Sequence, residues 1–276
     1  MRRTHLTALF ALVVALTTPA FAASPLDDPG AHGMVRVTQG IWAEARMDEA
    51  ARATLTPLVN EARRRVARYY GALAETTNVV FCASDTCFRH FGAHGLGFSD
   101  GEHVLIAPRG RRAAIIAHEL AHVELASRLG GMDRVIETVP QWFDEGLAVM
   151  ISAAEEFNEG AWQAATHGGR TAPALEALAG MASWNRITGP DGAGMHLSYG
   201  TACRELKRWA RSTGTDGPRA MVAALRNQEP FASAYRRIEQ QPPGVPTLAV
   251  HAGEPWSTAS TSDGRLSPQT IRDSVD

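Results

Sequence analysis

The chain has 276 residues, of which 45% are hydrophobic, and its formal net charge at pH 7 is −2. This length and composition suffice for one well-buried core. Because the charge is near neutral and the basic residues form no stripe, neither nucleic acid nor an anionic membrane is expected as a partner.

The N-terminus has the pattern of an export signal. Arg2-Arg3 precedes the apolar stretch 6–16, and residues 20–22 (AFA) fit an A-x-A cleavage site. We predict a signal peptide over residues 1–22, and therefore a periplasmic or secreted protein. His5 stands where a twin-arginine signal usually has an apolar residue, which favours ordinary secretion. No later stretch is long and apolar enough to span a bilayer, so stable membrane insertion is not expected.

Apolar spacing predicts that the domain opens with a helix followed by a strand. Residues 48–74 carry apolar side chains at helical spacing, and 78–82 has the pattern of a short buried strand. A second strand is predicted over 103–107. A long apolar helix is predicted over 112–129, with Gly130-Gly131 as its C-terminal stop.

The cysteines indicate one disulfide. Cys82 and Cys87 lie close together in the sequence, and in an exported protein this spacing predicts a small-loop disulfide that ties a strand end to the next segment. Cys203 is left over among apolar residues on a predicted helix, where a buried and inert thiol is expected.

The rest of the chain is predicted to be mostly helical. Pro140 stands at a helix start, before a helix over 142–151. After a loop rich in Gly and Ala, further helices are predicted over 173–181, 195–212, 218–227 and 230–238.

Few strands followed by a mostly helical second half indicate an α+β fold, with a small β-sheet over the helix at 112–129. We expect one folded domain over residues 23–240. The Pro-, Ser- and Thr-rich sequence beyond it predicts a flexible C-terminal tail over 241–276.

The predicted helix at 112–129 contains His118-Glu119-Leu120-Ala121-His122, an H-E-x-x-H pattern. Residues four apart on a helix point the same way, so both imidazoles can bind one metal ion. A catalytic zinc takes three protein ligands and keeps one position open for water, and Glu145 is the candidate third ligand. In so apolar a helix these polar groups would be uncompensated unless something engages them. We therefore predict a Zn²⁺ site.

Together with the later segment 142–148 (WFDEGLA), this motif resembles the gluzincin metallopeptidases, in particular the peptidase MA-like family. The resemblance covers about residues 79–238 and implies a zincin-like catalytic domain. It implies that His118, His122 and Glu145 bind zinc.

The resemblance also implies the catalytic residues. In that family the glutamate between the histidines is the general base, which here is Glu119. Zinc aminopeptidases have a tyrosine well downstream that donates to the oxyanion, and Tyr199 stands where it is expected. His196, one turn earlier on the same predicted helix, is a competing donor.

Two elements of better-known gluzincins are missing from the sequence. No Gly-x-Met-Glu-Asn segment, which holds a substrate's free amino end, precedes the zinc helix, and this argues against exopeptidase action. The matching region leads into the strand at 103–107, and an extended peptide could pair with that strand if it forms the sheet edge. No Asp stands four residues after Glu145, which leaves Asp144 as a weak candidate partner for the histidines.

The sequence thus predicts an exported zinc endopeptidase that acts on peptide or protein substrates. Two alternatives stay open: a non-catalytic zinc-binding module for binding or assembly, and a hydrolase of a non-peptide cell-wall amide. Glu119 argues against the module, because a binding module needs no general base.

Overall fold

A computed structural model describes residues 24–73, 77–154, 159–189 and 192–241. The predicted signal peptide 1–22 lies outside the described residues, as does the predicted tail 241–276 apart from its first residue. Over the part of the chain that is described, no helix has the length and apolarity needed to cross a membrane.

The described chain is α+β and mainly helical, as predicted. Its strands are β1 Met34–Thr38, β2 Ile41–Glu44, β3 Val79–Phe81, β4 Gly97–Ser99 and β5 Val104–Ile106. Its α-helices are α1 Glu49–Ala53, α2 Leu55–Tyr70, α3 Asp85–His90, α4 Ala113–Leu129, α5 Met132–Thr138, α6 Gln141–Ser152, α7 Glu159–Ala165, α8 Met181–Thr188, α9 Met195–Thr213, α10 Gly217–Arg226 and α11 Phe231–Gln240.

The five strands form one mixed sheet in the order β1-β2-β3-β5-β4. β2, β3 and β5 are parallel to one another, whereas β1 and β4 pair antiparallel to β2 and β5. The strand predicted over 103–107 is β5, and it lies inside the sheet. The condition for a peptide to pair with it, that it forms the sheet edge, is therefore not met: that edge is β4, which is too short to show an alternating pattern.

The prediction that the domain opens with a helix and a strand is also wrong, because the β1–β2 hairpin comes first. The helix predicted over 48–74 is two helices, α1 and α2, which meet at Thr54. Pro57 explains the break, since a proline ring clashes with the carbonyl four residues earlier. At the break Thr54 keeps helical backbone angles, but its N–H donates to the carbonyl of Ala51, three residues earlier, so the α-helical hydrogen-bond pattern is interrupted there.

Most of the later predictions are confirmed. The helices predicted over 112–129, 142–151, 195–212, 218–227 and 230–238 are α4, α6, α9, α10 and α11. The helix predicted over 173–181 is wrong, because a 3-10 turn at Leu175–Leu178 and Gly180 precede α8. Helices α3, α5, α7 and α8 were not predicted.

The predicted disulfide is present between Cys82 and Cys87, whose Cα atoms lie 5.6 Å apart. It joins the end of β3 to α3. Cys203 is a buried free thiol, as expected, and burial raises its pKa. A protonated, buried thiol is a poor nucleophile.

Helix α4 is central to the core. Most of its residues are buried, and it packs against helices α2 and α6 and against strands β4 and β5. A helix that is apolar on nearly all sides is stable only in such an interior position. The H-E-x-x-H motif is therefore held on a rigid, buried element.

Helix α6 packs closely against α9 because Gly146 has no side chain. A Cβ atom added at Gly146 would lie 2.7 Å from the backbone oxygen of Ala202. Real Cβ atoms do not approach a backbone oxygen so closely, so any larger residue would force the two helices apart.

We predict that Gly146→Ala destabilises the protein by about 2 kcal/mol, which is the usual cost of overpacking a core. The measurement is the free energy of unfolding in urea. Gly180→Ala is the matched control, since the added Cβ would be 3.8 Å from its nearest neighbour, Ser183 Oγ. An equal loss in both variants would contradict the packing argument.

Candidate metal centre

Three side chains that the sequence singled out converge at one point. His118 Nε2 lies 3.3 Å from His122 Nε2 and 3.3 Å from Glu145 Oε2, and His122 Nε2 lies 3.6 Å from the same oxygen. The side chains of His118 and Glu145 are only 11% and 12% exposed. This group could hold a metal ion.

Two helices bring the group together. His118 and His122 are one turn apart on α4, and their rings meet edge to face with centroids 4.9 Å apart. Helix α6 packs against α4 and carries Glu145. Gln141 Nε2 donates to Glu145 Oε1 at 3.1 Å, which turns the other carboxylate oxygen, Oε2, toward the two imidazoles.

The Oε2 atom of Glu145 is buried and accepts no hydrogen bond among the described residues. Burial opposes the ionisation of this carboxyl, but His118 and His122 outweigh burial and hold its pKa well below its usual range. A charged oxygen that is buried and lacks a hydrogen bond is costly unless a cation neutralises it. This orphaned atom fits a metal site.

Asp144 forms a hydrogen bond with the ring nitrogen of His122 that faces away from the group of three. Its Oδ1 lies 2.8 Å from His122 Nδ1, and both side chains are about 10% exposed. Although burial opposes it, the Asp144 carboxylate raises the pKa of His122 well above its usual value. In the neutral ring, a proton on Nδ1 that is directed at Asp144 leaves the lone pair on Nε2, which faces His118 and Glu145 at the candidate metal position. The weak candidate of the sequence analysis thus has a clear structural role.

Glu119 lies beside the group of three but is not part of it. Its side chain is buried, and burial raises its pKa. Gly97 of the edge strand β4 lies directly against it, because a Cβ added at Gly97 would be 2.6 Å from Glu119 Oε1. The backbone of β4 therefore passes over this carboxyl group.

Tyr199 of α9 lies beside the group formed by His118, His122 and Glu145. Its ring centroid is 6.2 Å from that of His118 and 4.9 Å from that of Trp184. Burial, followed by the Glu145 and Glu119 carboxylates, raises the pKa of Tyr199, so its hydroxyl stays protonated and can donate. Of the two candidate donors, Tyr199 lines the pocket, whereas the described lining does not include His196.

All these groups face one pocket of about 320 Å³. Its walls come from β4, α4, α5, α6, α8 and α9. The lining residues that bear on its chemistry are Gly97, His118, Glu119, His122, Gln141, Asp144, Glu145 and Tyr199. The sequence predicted the histidines, Glu119, Glu145 and Tyr199.

Sequence reasoning missed Gln141 and Gly97. The spacing of Gln141, one helical turn before Glu145, is a local signal that could have indicated the hydrogen bond. Gly97 gave no such signal, because its contact with Glu119 joins a strand to a helix.

Two other clusters of potential ligands are weaker. In one, Cys82 and Cys87 are joined by the disulfide, which leaves Glu44 as the one potential metal ligand of that cluster. The other contains His103 with two exposed acids, Asp27 and Glu102. Exposed carboxylates are satisfied by water, so nothing in that cluster requires a cation.

A comparison with models of protein families and a comparison with curated proteins both found no match to this chain. The chemistry of the pocket is therefore the basis for a functional conclusion.

We predict that Asp144→Asn weakens metal binding about 10- to 100-fold, because a neutral amide no longer orients and polarises His122. The measurement is a competition titration of the purified protein against a chromophoric chelator. Asp133→Asn, which removes an exposed carboxylate of α5, is the matched control and should bind metal like the wild type. Equal affinity in all three proteins would remove Asp144 from the site.

Proposed function

We propose that this chain is an exported, zinc-dependent endopeptidase of the gluzincin type. One observation carries the proposal. Glu119, a buried carboxyl group of raised pKa, shares a pocket with the convergent group His118, His122 and Glu145. A general base beside a metal position is the minimum arrangement for hydrolysis by an activated water.

The distances support zinc as the metal. Zinc binds imidazole nitrogen and carboxylate oxygen at about 2.0–2.1 Å, so a tetrahedral shell separates two ligand atoms by roughly 3.3 Å. The three separations in the structure are 3.3, 3.3 and 3.6 Å. Two imidazoles and one carboxylate are also a common ligand set of catalytic zinc, and three protein ligands leave a position open.

The proposed mechanism assigns one task to each side chain. Zinc, when bound, lowers the pKa of water and polarises the substrate carbonyl. Glu119 takes the proton of the attacking water and passes it to the leaving amine. The raised pKa of Glu119 suits a group that must both accept and release a proton. The Tyr199 hydroxyl donates to the carbonyl oxygen of the substrate as negative charge develops on it.

The edge strand β4 supports a peptide as substrate. An extended peptide can add to a sheet edge through backbone hydrogen bonds, and β4 is the edge that passes over Glu119. A peptide paired with β4 would therefore run across the carboxyl group that acts as base. This placement favours cleavage inside a chain, and therefore an endopeptidase.

The Cys82–Cys87 disulfide supports export, because structural disulfides persist in oxidising compartments. Together with the signal-like sequence at 1–22, it favours a periplasmic or secreted protein. The rival functions, a non-catalytic zinc module and a cell-wall amide hydrolase, use the same ligand set. They are distinguished by the following experiment.

We predict that the zinc-loaded chain beginning at residue 23 cleaves casein and that Glu119→Gln abolishes cleavage while zinc content stays near one per chain. The amide keeps the shape of the side chain but cannot accept the proton. Metal content is measured by atomic spectroscopy and cleavage sites by mass spectrometry, in which internal cuts identify an endopeptidase.

Glu49→Gln, at an exposed position of α1, is the matched control and should retain full activity. Zinc binding without cleavage in the wild type would support the binding module. Release of amide-linked fragments from cell wall, with casein intact, would support the cell-wall hydrolase.

We predict that Tyr199→Phe lowers kcat for casein-derived peptides about a hundredfold and leaves KM nearly unchanged, because its donation strengthens only in the transition state. Steady-state kinetics measure both constants. His196→Asn should have little effect. The reverse pattern, with loss in His196→Asn alone, would assign the oxyanion donor to His196.

A further inference from the structure

The mouth of the pocket carries an unusual group of exposed side chains. On the described part of the chain, the large apolar side chains that stand exposed are Phe98, Ile136 and Met181, which are 38%, 62% and 47% accessible. They belong to three different elements, β4, α5 and α8, yet all three line the pocket that contains Glu119. We name these three residues the apolar rim.

Three exposed apolar side chains from three different elements are not expected to meet at one pocket by chance. Exposed apolar side chains scattered singly need no explanation, but a contiguous group around a cleft marks a surface that binds something apolar. The wall behind the rim is also apolar, because Val135 of α5 and Val139, just after the end of α5, are buried and line the same pocket. The exposed rim and these two buried valines therefore line the same pocket.

The charges of the lining exclude other modes of recognition. Among the described residues that line the pocket, none is a Lys or Arg that could bind the carboxylate of a peptide's C-terminus. Its carboxylates are Glu119, Asp144 and Glu145, and each already has a role at the base or the metal position. In the lining as far as it is described, no separate acid can bind a free amino end, so side chains within a peptide are what the mouth can recognise.

We propose, as a consequence that rests on the peptidase function, that the apolar rim selects peptide segments with a large aliphatic or aromatic side chain beside the scissile bond. Such a side chain would cover Ile136 and Met181 while the peptide backbone lies along β4. Burial of one large apolar side chain is worth at least about tenfold in kcat/KM.

The test compares two internally quenched peptides with both ends blocked. They are identical except that Leu on each side of the cleaved bond is replaced by Asn, which has a similar size and no charge. We expect the Leu peptide to be cleaved at least about tenfold faster at low concentration. Ile136→Asn and Met181→Gln should each reduce that preference, mainly through a higher KM for the Leu peptide.

Val35→Asn is the matched control, because Val35 lies on β1, at the opposite edge of the sheet. It should leave the preference unchanged. A second readout does not depend on turnover: fluorescence anisotropy of labelled peptides with the zinc-loaded Glu119→Gln protein. The Leu peptide should bind more tightly than the Asn peptide, and the rim variants should remove the difference.

The possible failures are distinguishable. Equal cleavage and equal binding of the two peptides, with casein still cleaved, would overturn the role of the rim and leave the peptidase function standing. Rim variants that lose activity equally on both peptides would also overturn it, since that pattern indicates structural damage. If neither peptide nor casein is cleaved, the proposed function fails and this inference fails with it.

Discussion

The structure depends on how it compensates ionisable groups that are buried in an apolar layer. Helix α4 is buried on nearly all sides, yet it carries His118, Glu119 and His122, and α6 adds two carboxylates to the same layer. Burying such groups without partners costs several kcal/mol each. The chain partners His122 with Asp144 and one oxygen of Glu145 with Gln141. The Nε2 atoms of both histidines and the second oxygen of Glu145, Oε2, then face one another. A cation would stabilise this arrangement.

Helix α6 links this electrostatic arrangement to the packing of the whole helical half. Its Glu145 faces α4, and the neighbouring Gly146 allows the close approach of α9, which carries Tyr199. The candidate metal position and the proposed oxyanion donor are thus set by the contacts of α6 with α4 and with α9. Gly97 brings the backbone of β4 against Glu119, the residue of α4 next to His118. Helices α6 and α9 and strand β4 therefore bring their side chains or backbone to one pocket beside α4.

The pocket separates two kinds of surface. Its floor contains the histidines and carboxylates, whereas its mouth is formed by the exposed apolar rim, Phe98, Ile136 and Met181. Hydrolysis needs polar groups at the reacting atoms, and recognition of a polypeptide can use the hydrophobic effect at its side chains. A floor and mouth divided in this way are consistent with the proposed endopeptidase, because neither surface needs a charged end on the substrate.

The sequence by itself determined what short-range periodicity controls. One helical turn separates His118 from His122, so their shared face on α4 was predictable, and the apolar pattern of α4 and α6 placed both motifs on helices. It also predicted the Cys82–Cys87 disulfide, whose partners lie in one short segment. The β1–β2 hairpin and α5 were missed, because their apolar patterns are short and weak.

Only the tertiary structure decided the contacts between elements. The convergence of Glu145 with the histidines, the hydrogen bond from His122 to Asp144, and the position of β4 over Glu119 all join segments that are distant in the chain. The same holds for the order of strands, which puts β4 and not β5 at the edge. Periodicity specifies which face of an element is apolar, but the partner of that face is fixed by packing of the whole core, and packing depends on side chains throughout the chain.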